Sequence, residues 1–222
     1  MDVGDLHTVE TVVDTPLGPG RFLLDPAEEP HALLVLGHGA GGGPNAADLA
    51  LLARRLPDQG VTVARFEQPW RTAGRKVAVA PPKLDEAWTA GCRWLTAQPW
   101  AAAPLFFGGR SAGARVACRT ADAFDARGVV CLAFPLHLPG RPEKSRVAEL
   151  LAPASPRLVL QGTADTFGPA AEVRAAIGDA TGITVVELPG ADHSFRLPKA
   201  SPFTPADLRA TLVAHVANFV AS

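Results

Sequence analysis

Tyrosine is missing from all 222 residues, methionine occurs once, and cysteine three times. The missing tyrosine removes the phenol from the candidate proton donors and oxyanion stabilisers. The cysteines Cys92, Cys118 and Cys131 form an odd set without metal-ligand or redox spacing. Cys92 and Cys118 fall in helical patterns and Cys131 in a strand, so all three read as reduced core thiols and the cytoplasm is the expected location. No apolar run exceeds strand length, which argues against a membrane-spanning helix. The acidic start, Met1–Asp5, lacks the apolar centre of a signal peptide. A formal net charge of −1 and a pI near 6.6, with no long basic run, recommend neither nucleic acid nor an anionic membrane as a partner.

What is present fits one globular domain over residues 1–222. Hydrophobic residues at 47% and charged residues at 19% match a chain that buries a single core. Strand-like apolar runs recur at Leu33–Leu36, Val61–Phe66, Leu105–Phe107, Val129–Phe134, Leu158–Leu160 and Ile183–Leu188. Helical patterns separate most of them. Leu49, Leu52, Ala53 and Leu56 follow helical spacing, as do Leu84, Ala87, Trp88 and Gly91, with Leu95 one turn on. A last helix is predicted to open with Thr204 as cap, Pro205 at its first position and Asp207 three after the cap. Its expected apolar face is Leu208, Leu212, Val216 and Phe219. Alternating strands and helices imply a mostly parallel sheet of about six to eight strands, covered on both faces. Val9–Val13 and Arg21–Leu24 flank a Pro/Gly turn and predict a leading hairpin. Between Phe134 and Arg157 there is room for little more than one short helix, at Glu143–Leu151, so no lid is expected over the site.

Serine occurs only six times, and the first, Ser111, sits in Gly109-Arg110-Ser111-Ala112-Gly113, between an apolar strand and a small-residue helix. A G-x-S-x-G run in that setting presents a nucleophilic serine on a sharp turn. The turn holds a strained backbone, tolerated where Gly109 and Gly113 leave room. The following helix points its free N–H groups at the reacting atom. A serine hydroxyl needs a base to take its proton, and the base needs an orienting acid. In an open parallel sheet those partners gather beyond the C-terminal strand ends. Asp165 follows Leu158–Leu160, and His193 follows Ile183–Leu188. Asp165 is preferred to Asp192 as the acid because neighbouring loop side chains rarely meet in the required geometry. His7 and His31 read as exposed N-terminal residues, and His215 belongs to the last helix. The candidate set is therefore Ser111, Asp165 and His193.

His38-Gly39-Ala40-Gly41-Gly42-Gly43 directly follows the strand Leu33–Leu36. Glycine lets the backbone turn its N–H groups inward, and the amides of Ala40 and Ala112 are the candidate oxyanion donors. A phosphate loop would need a lysine and Ser/Thr that are missing, and the spacing fails a dinucleotide fingerprint. No cofactor and no metal site is expected. Arg71, Arg75 and Lys76 lie on the long loop after Val61–Phe66, and with Arg110 they are candidates for holding a substrate anion. His137 is a candidate wall of the site, and Phe167 and Phe195 of an acyl pocket. Salt bridges and solvated surface compete for the basic residues, loop capping for His137, and core or rim packing for the two phenylalanines.

Together these motifs resemble the α/β-hydrolase superfamily, in the small lidless branch of dienelactone-hydrolase-like proteins. Gly108–Arg115, Pro135–Gly140 and Gln161–Gly168 look most like a group containing testis-expressed hydrolase-like proteins and a subunit of the non-specific lethal chromatin complex. The resemblance runs from His31 to Phe219. It implies Ser111 as nucleophile, Asp165 as acid and His193 as base. Dienelactone hydrolases use a cysteine nucleophile, so with serine here their substrate does not carry over. The expected activity is hydrolysis of a small soluble ester or thioester, a carboxylesterase reaction. The alternative is a non-catalytic scaffold of the same fold that binds a partner protein. Transfer of the acyl group to an acceptor other than water would use the same residues.

Overall fold

Buried apolar runs form the centre of an eight-stranded sheet in a computed structural model that describes residues 8–222. His7 and Met1–Asp5 lie outside those residues. The strands are β1 (Val9–Thr15), β2 (Gly18–Asp25), β3 (Ala32–Gly37), β4 (Val61–Glu67), β5 (Leu105–Arg110), β6 (Val129–Leu132), β7 (Arg157–Gly162) and β8 (Ile183–Leu188), in spatial order β1-β2-β4-β3-β5-β6-β7-β8. β1 and β2 form the antiparallel hairpin read from the sequence, and β2 runs antiparallel to β4. All later pairings are parallel. Every residue of β3, β4, β6 and β7 is buried, as central strands covered on both faces must be.

The helices are α1 (Ala47–Arg55), α2 (Pro69–Thr72), α3 (Pro81–Thr96), α4 (Ala112–Thr120), α5 (Val147–Leu151), α6 (Ala170–Ile177) and α7 (Pro205–Val220). On one face α3 and α4 pack Leu84, Trp88, Leu95, Val116 and Ala117 against Phe66 and Phe107. On the other, α1 and α7 pack Leu49, Leu52, Leu212 and Val216 against Leu34, Val63 and Leu160. The sheet is thus doubly wound, with two cores. Arg119 pairs bidentately with Asp85 of α3 at 2.6 and 2.8 Å and also reaches Glu149 of α5, which pairs with Arg115. These ion pairs fasten α4, the helix that begins next to Ser111.

Several details depart from the sequence reading. The strand expected over Val129–Phe134 stops at Leu132, because Ala133 takes φ +49° and turns the chain. The short helix expected at Glu143–Leu151 contains only Val147–Leu151; an isolated bridge between Leu138 and Arg141 lies just ahead of that span. The capping box of α7 forms as read, with Asp207 N–H on Thr204 Oγ1 and Thr204 N–H on Asp207 Oδ2. Its buried face ends on Val220, whereas Phe219 is half-buried with its ring edge against Phe106. Cys92, Cys118 and Cys131 are buried free thiols. Burial pushes the Cys92 thiol well up, and the Cys118 contact followed by burial does the same to Cys131, so neither is a ready thiolate. Among the described residues no helix is long and apolar enough to cross a membrane.

Candidate active site

Ser111 leaves β5 with φ +52° and ψ −111°, a conformation that costs an L-residue energy and is held by its surroundings. Its N–H donates to the Leu132 carbonyl at 2.9 Å. Space for the turn comes from three glycines whose backbones nearly touch. A Cβ on Gly109 would stand 2.6 Å from the Gly37 carbonyl oxygen, and one on Gly113 only 2.2 Å from it. Gly37 pairs with Gly109 across β3 and β5, so the glycine run of one strand supports the turn of the next.

His193, on the loop after β8, points Nε2 at Ser111 Oγ over 3.0 Å. Its Nδ1 faces both carboxylate oxygens of Asp165, at 2.8 and 3.0 Å. Asp165 is 1% exposed and accepts two further hydrogen bonds, from the Phe167 amide at 2.8 Å and from Gln161 Nε2 at 3.0 Å. These donors satisfy the carboxylate oxygens where water does not reach them. The carboxylate also requires the proton on Nδ1, which leaves Nε2 free to accept from serine. Asp192 serves the backbone instead, since its Oδ1 accepts from the amides of Ser194 and Arg196 and folds the histidine loop. Strands β5, β7 and β8 thus bring Ser111, Asp165 and His193 to one place at the C-terminal sheet edge.

Ala40 and Ala112 line one small cavity together, and neither amide donates to a protein acceptor among the described residues. The loop that carries Ala40 is fixed by a histidine the sequence reading did not single out. His38 is buried; its Nδ1–H donates to the Gly39 carbonyl at 2.9 Å while its Nε2 accepts from the Gln68 amide at 3.1 Å. Burial holds its pKa below the ordinary value, which suits it to serve as a neutral strut. Gln161, fully buried, was likewise missed, and braces Asp165, the Phe134 carbonyl and the Gly168 carbonyl. A histidine directly ahead of a glycine run and an amide at the end of an apolar strand were the available signals.

The remaining candidates separate. Phe167 lies face to face on the His193 ring, 4.1 Å between centroids and 27° between planes. Phe195 is buried at φ +56°, with the Arg110 guanidinium 5.2 Å above its ring. Arg110 is itself engaged, donating to the carboxylate of buried Asp48 and to the His193 carbonyl. It therefore ties the Ser111 turn to the histidine loop and to α1. Arg71, on α2, stands beside the glycine loop, its Nε 3.5 Å from where a Gly43 Cβ would be. Arg75 and Lys76 are exposed beyond it. Among the described residues none of these three has a carboxylate within ion-pair distance.

His137 lies behind Phe167, whose carbonyl accepts from the His137 amide. Both ring nitrogens face acceptors, Glu172 at 2.8 Å and the Leu138 carbonyl at 2.9 Å, an arrangement that calls for two ring protons. Glu172 first and the Leu138 carbonyl second raise its pKa above the usual 6.5. A raised folded value stabilises below the unfolded pKa and is lost as pH rises through the folded one. Glu172 is half exposed, so solvent screens the pair to about 0.5 kcal/mol. We expect Tm to fall by roughly 1–2 °C as pH rises from below the usual 6.5 through the raised His137 value, with Glu172→Gln reducing that slope. Equal slopes in both proteins would contradict the pair.

Beside His193 opens a cleft of about 620 Å³, bordered by Arg110, Ser194 and Phe195. The span from Phe134 to Arg157 contributes α5 and no covering domain. Among the described residues no group of three or more His, Cys, Asp or Glu side chains is placed to hold a metal ion.

A doubly wound, largely parallel sheet with a serine turn after its central β5 defines the α/β-hydrolase class. The family described as alpha/beta hydrolase domain matches residues 30–221, and the chain belongs to it. A serine hydrolase homologue from Coxiella burnetii superposes with a TM-score of 0.77 at 22% identity, over 96% of this chain and 100% of that one. An α/β serine hydrolase without a lid, from Xanthomonas campestris, gives 0.74 at 24% identity over 100% and 99%. A dienelactone hydrolase from Anabaena variabilis gives 0.73 at 16% identity over 96% and 95%. At these identities the likeness establishes the fold.

Proposed function

We propose that the chain is a single-domain serine hydrolase that cleaves small carboxylic esters or thioesters through an acyl-enzyme on Ser111. The observation that carries this reading is the continuous line Ser111 Oγ, His193 Nε2, His193 Nδ1, Asp165, with both junctions at hydrogen-bond length. Ser111 Oγ attacks the acyl carbon while its proton passes to Nε2. The Ala40 and Ala112 amides donate to the oxygen that gains negative charge, each worth roughly 3–4 kcal/mol in a preorganised hole. The imidazolium formed is held by Asp165 and by the Phe167 face. It then protonates the departing oxygen or sulfur as the carbonyl reforms. A water deprotonated by His193 repeats the attack, releases the acid and restores Ser111.

The closer likeness to testis-expressed and chromatin-complex proteins rests on the three quoted sequence runs, and with it comes the partner-binding scaffold as the rival. A scaffold gives no physical reason to keep a buried carboxylate behind a histidine that meets a serine. Incubation with a fluorophosphonate followed by peptide mass spectrometry separates the two. We expect one adduct, on Ser111, that disappears in Ser111→Ala and in His193→Ala. Folded protein that takes no adduct would overturn the hydrolase reading.

A further inference from the structure

The cleft next to His193 has a chemistry that the reaction itself does not require. Its floor is apolar, built from Leu51, Leu208 and Leu212 of α1 and α7. Its borders carry three arginines and one acid. The acid, Asp48, is taken by Arg110, which cancels one charge of each sign. Arg196 and Arg209 remain, exposed, with no carboxylate among the described residues within ion-pair distance. Asp207 is the acid of α7, and its Oδ2 serves the Thr204 cap. The cleft thus sets two positive charges, without a carboxylate partner among the described residues, at the border of an apolar floor.

The position relative to the reacting atoms indicates which part of a substrate would lie there. Ser194 and Phe195, the cleft wall, directly follow His193, and Arg110 directly precedes Ser111. His193 Nε2 delivers its proton to the leaving oxygen, so the group attached to that oxygen lies on the histidine side. Arg196 is fixed on the same turn: its amide donates to Asp192 Oδ1 at 2.8 Å and its carbonyl accepts from the Asp192 amide at 3.0 Å.

Resting on the serine-hydrolase reading above, we propose that this cleft holds the leaving-group half of the substrate and selects esters whose alcohol part is an apolar body ending in a carboxylate. The apolar body covers Leu51, Leu208 and Leu212, and the carboxylate meets the planar forks of Arg196 and Arg209. Hydrolysis breaks the acyl carbon–oxygen bond, the alcohol leaves with the proton from His193, and its carboxylate stays ionised throughout.

The test uses the acetyl ester of 3-(4-hydroxyphenyl)propionate and the methyl ester of that same compound, whose phenols are nearly equal as leaving groups. At low salt we expect KM for the carboxylate to be about fivefold lower, the scale of solvent-exposed charge contacts. The preference should fall toward unity in the Arg196→Gln/Arg209→Gln double variant and in about 0.5 M salt. A second arm measures, by calorimetry on Ser111→Ala protein, binding of 3-(4-hydroxyphenyl)propionate against its methyl ester, and needs no turnover. Selective binding without turnover of either ester would support the site and count against the esterase reading. Equal KM values together with equal binding would overturn the proposal. So would a preference that survives the double variant and disappears in Arg71→Gln, which would put the anion beside the glycine loop.

Discussion

Ser111→Ala should lower kcat for a short acyl ester by about 10⁶-fold while leaving the fold unchanged. Alanine keeps the Cβ, so the strained turn gains no clash, and the backbone N–H still donates to the Leu132 carbonyl. His193→Ala should cost nearly as much, and the double variant little more, because the two side chains act as one unit. Asp165→Asn is the more revealing change. Its remaining carbonyl oxygen would satisfy the Phe167 amide, which turns the new amide nitrogen toward Gln161 Nε2 and His193 Nδ1. Donor then faces donor at the shorter Nδ1 contact, and only the 3.0 Å approach to Oδ1, shared with the Phe167 amide, is left to accept the Nδ1 proton. The tautomer with its proton on Nε2, which cannot accept from Ser111, is favoured instead, and a loss of about 10⁴ in kcat is expected. Steady-state rates on one ester, with thermal melts beside them, check all three. An Asp165→Asn protein within about tenfold of the parent would refute the assigned orientation of His193.

The sequence made the frame readable because burial on both faces writes parallel strands as unbroken apolar runs. Leu33–Leu36 and Leu158–Leu160 could be placed for that reason, whereas Ile183–Leu188, the edge strand β8, is only partly buried and exposes Thr184 and Glu187. Motifs that act through neighbours in the chain were legible too: the Thr204–Asp207 cap is complete within four residues. What stayed hidden depends on contacts between distant segments. Arg110 read as a substrate ligand because nothing local reveals Asp48, 62 positions away, or the His193 carbonyl, 83 positions away. His38 and Gln161 look like ordinary polar residues until the fold buries them against Gln68 and Asp165. Phe167 read as a pocket wall, and its stack on His193 is visible only once β7 and β8 lie side by side.

Gly113→Ala is expected to be strongly destabilising, despite alanine being the better helix former. The new carbon would stand 2.2 Å from the Gly37 carbonyl oxygen and 2.3 Å from its carbon. Both are backbone atoms of β3, held by pairing with β4 and β5, so no side chain can swing aside. Relief requires α4 to move away from the sheet, which would loosen the Ser111 turn and the packing of Val116 and Ala117. We expect a loss of about 3 kcal/mol or more, a fall in Tm of roughly 6–12 °C. Gly41→Ala is the matched control within the same glycine-rich surroundings. Nothing lies within 4 Å of its Cβ position and its φ is not in the left-handed region, so stability should shift by no more than about 0.5 kcal/mol. Equal melting temperatures for the two variants would mean that β3 and α4 are not packed backbone to backbone, and the support proposed for the nucleophile turn would fall with that contact.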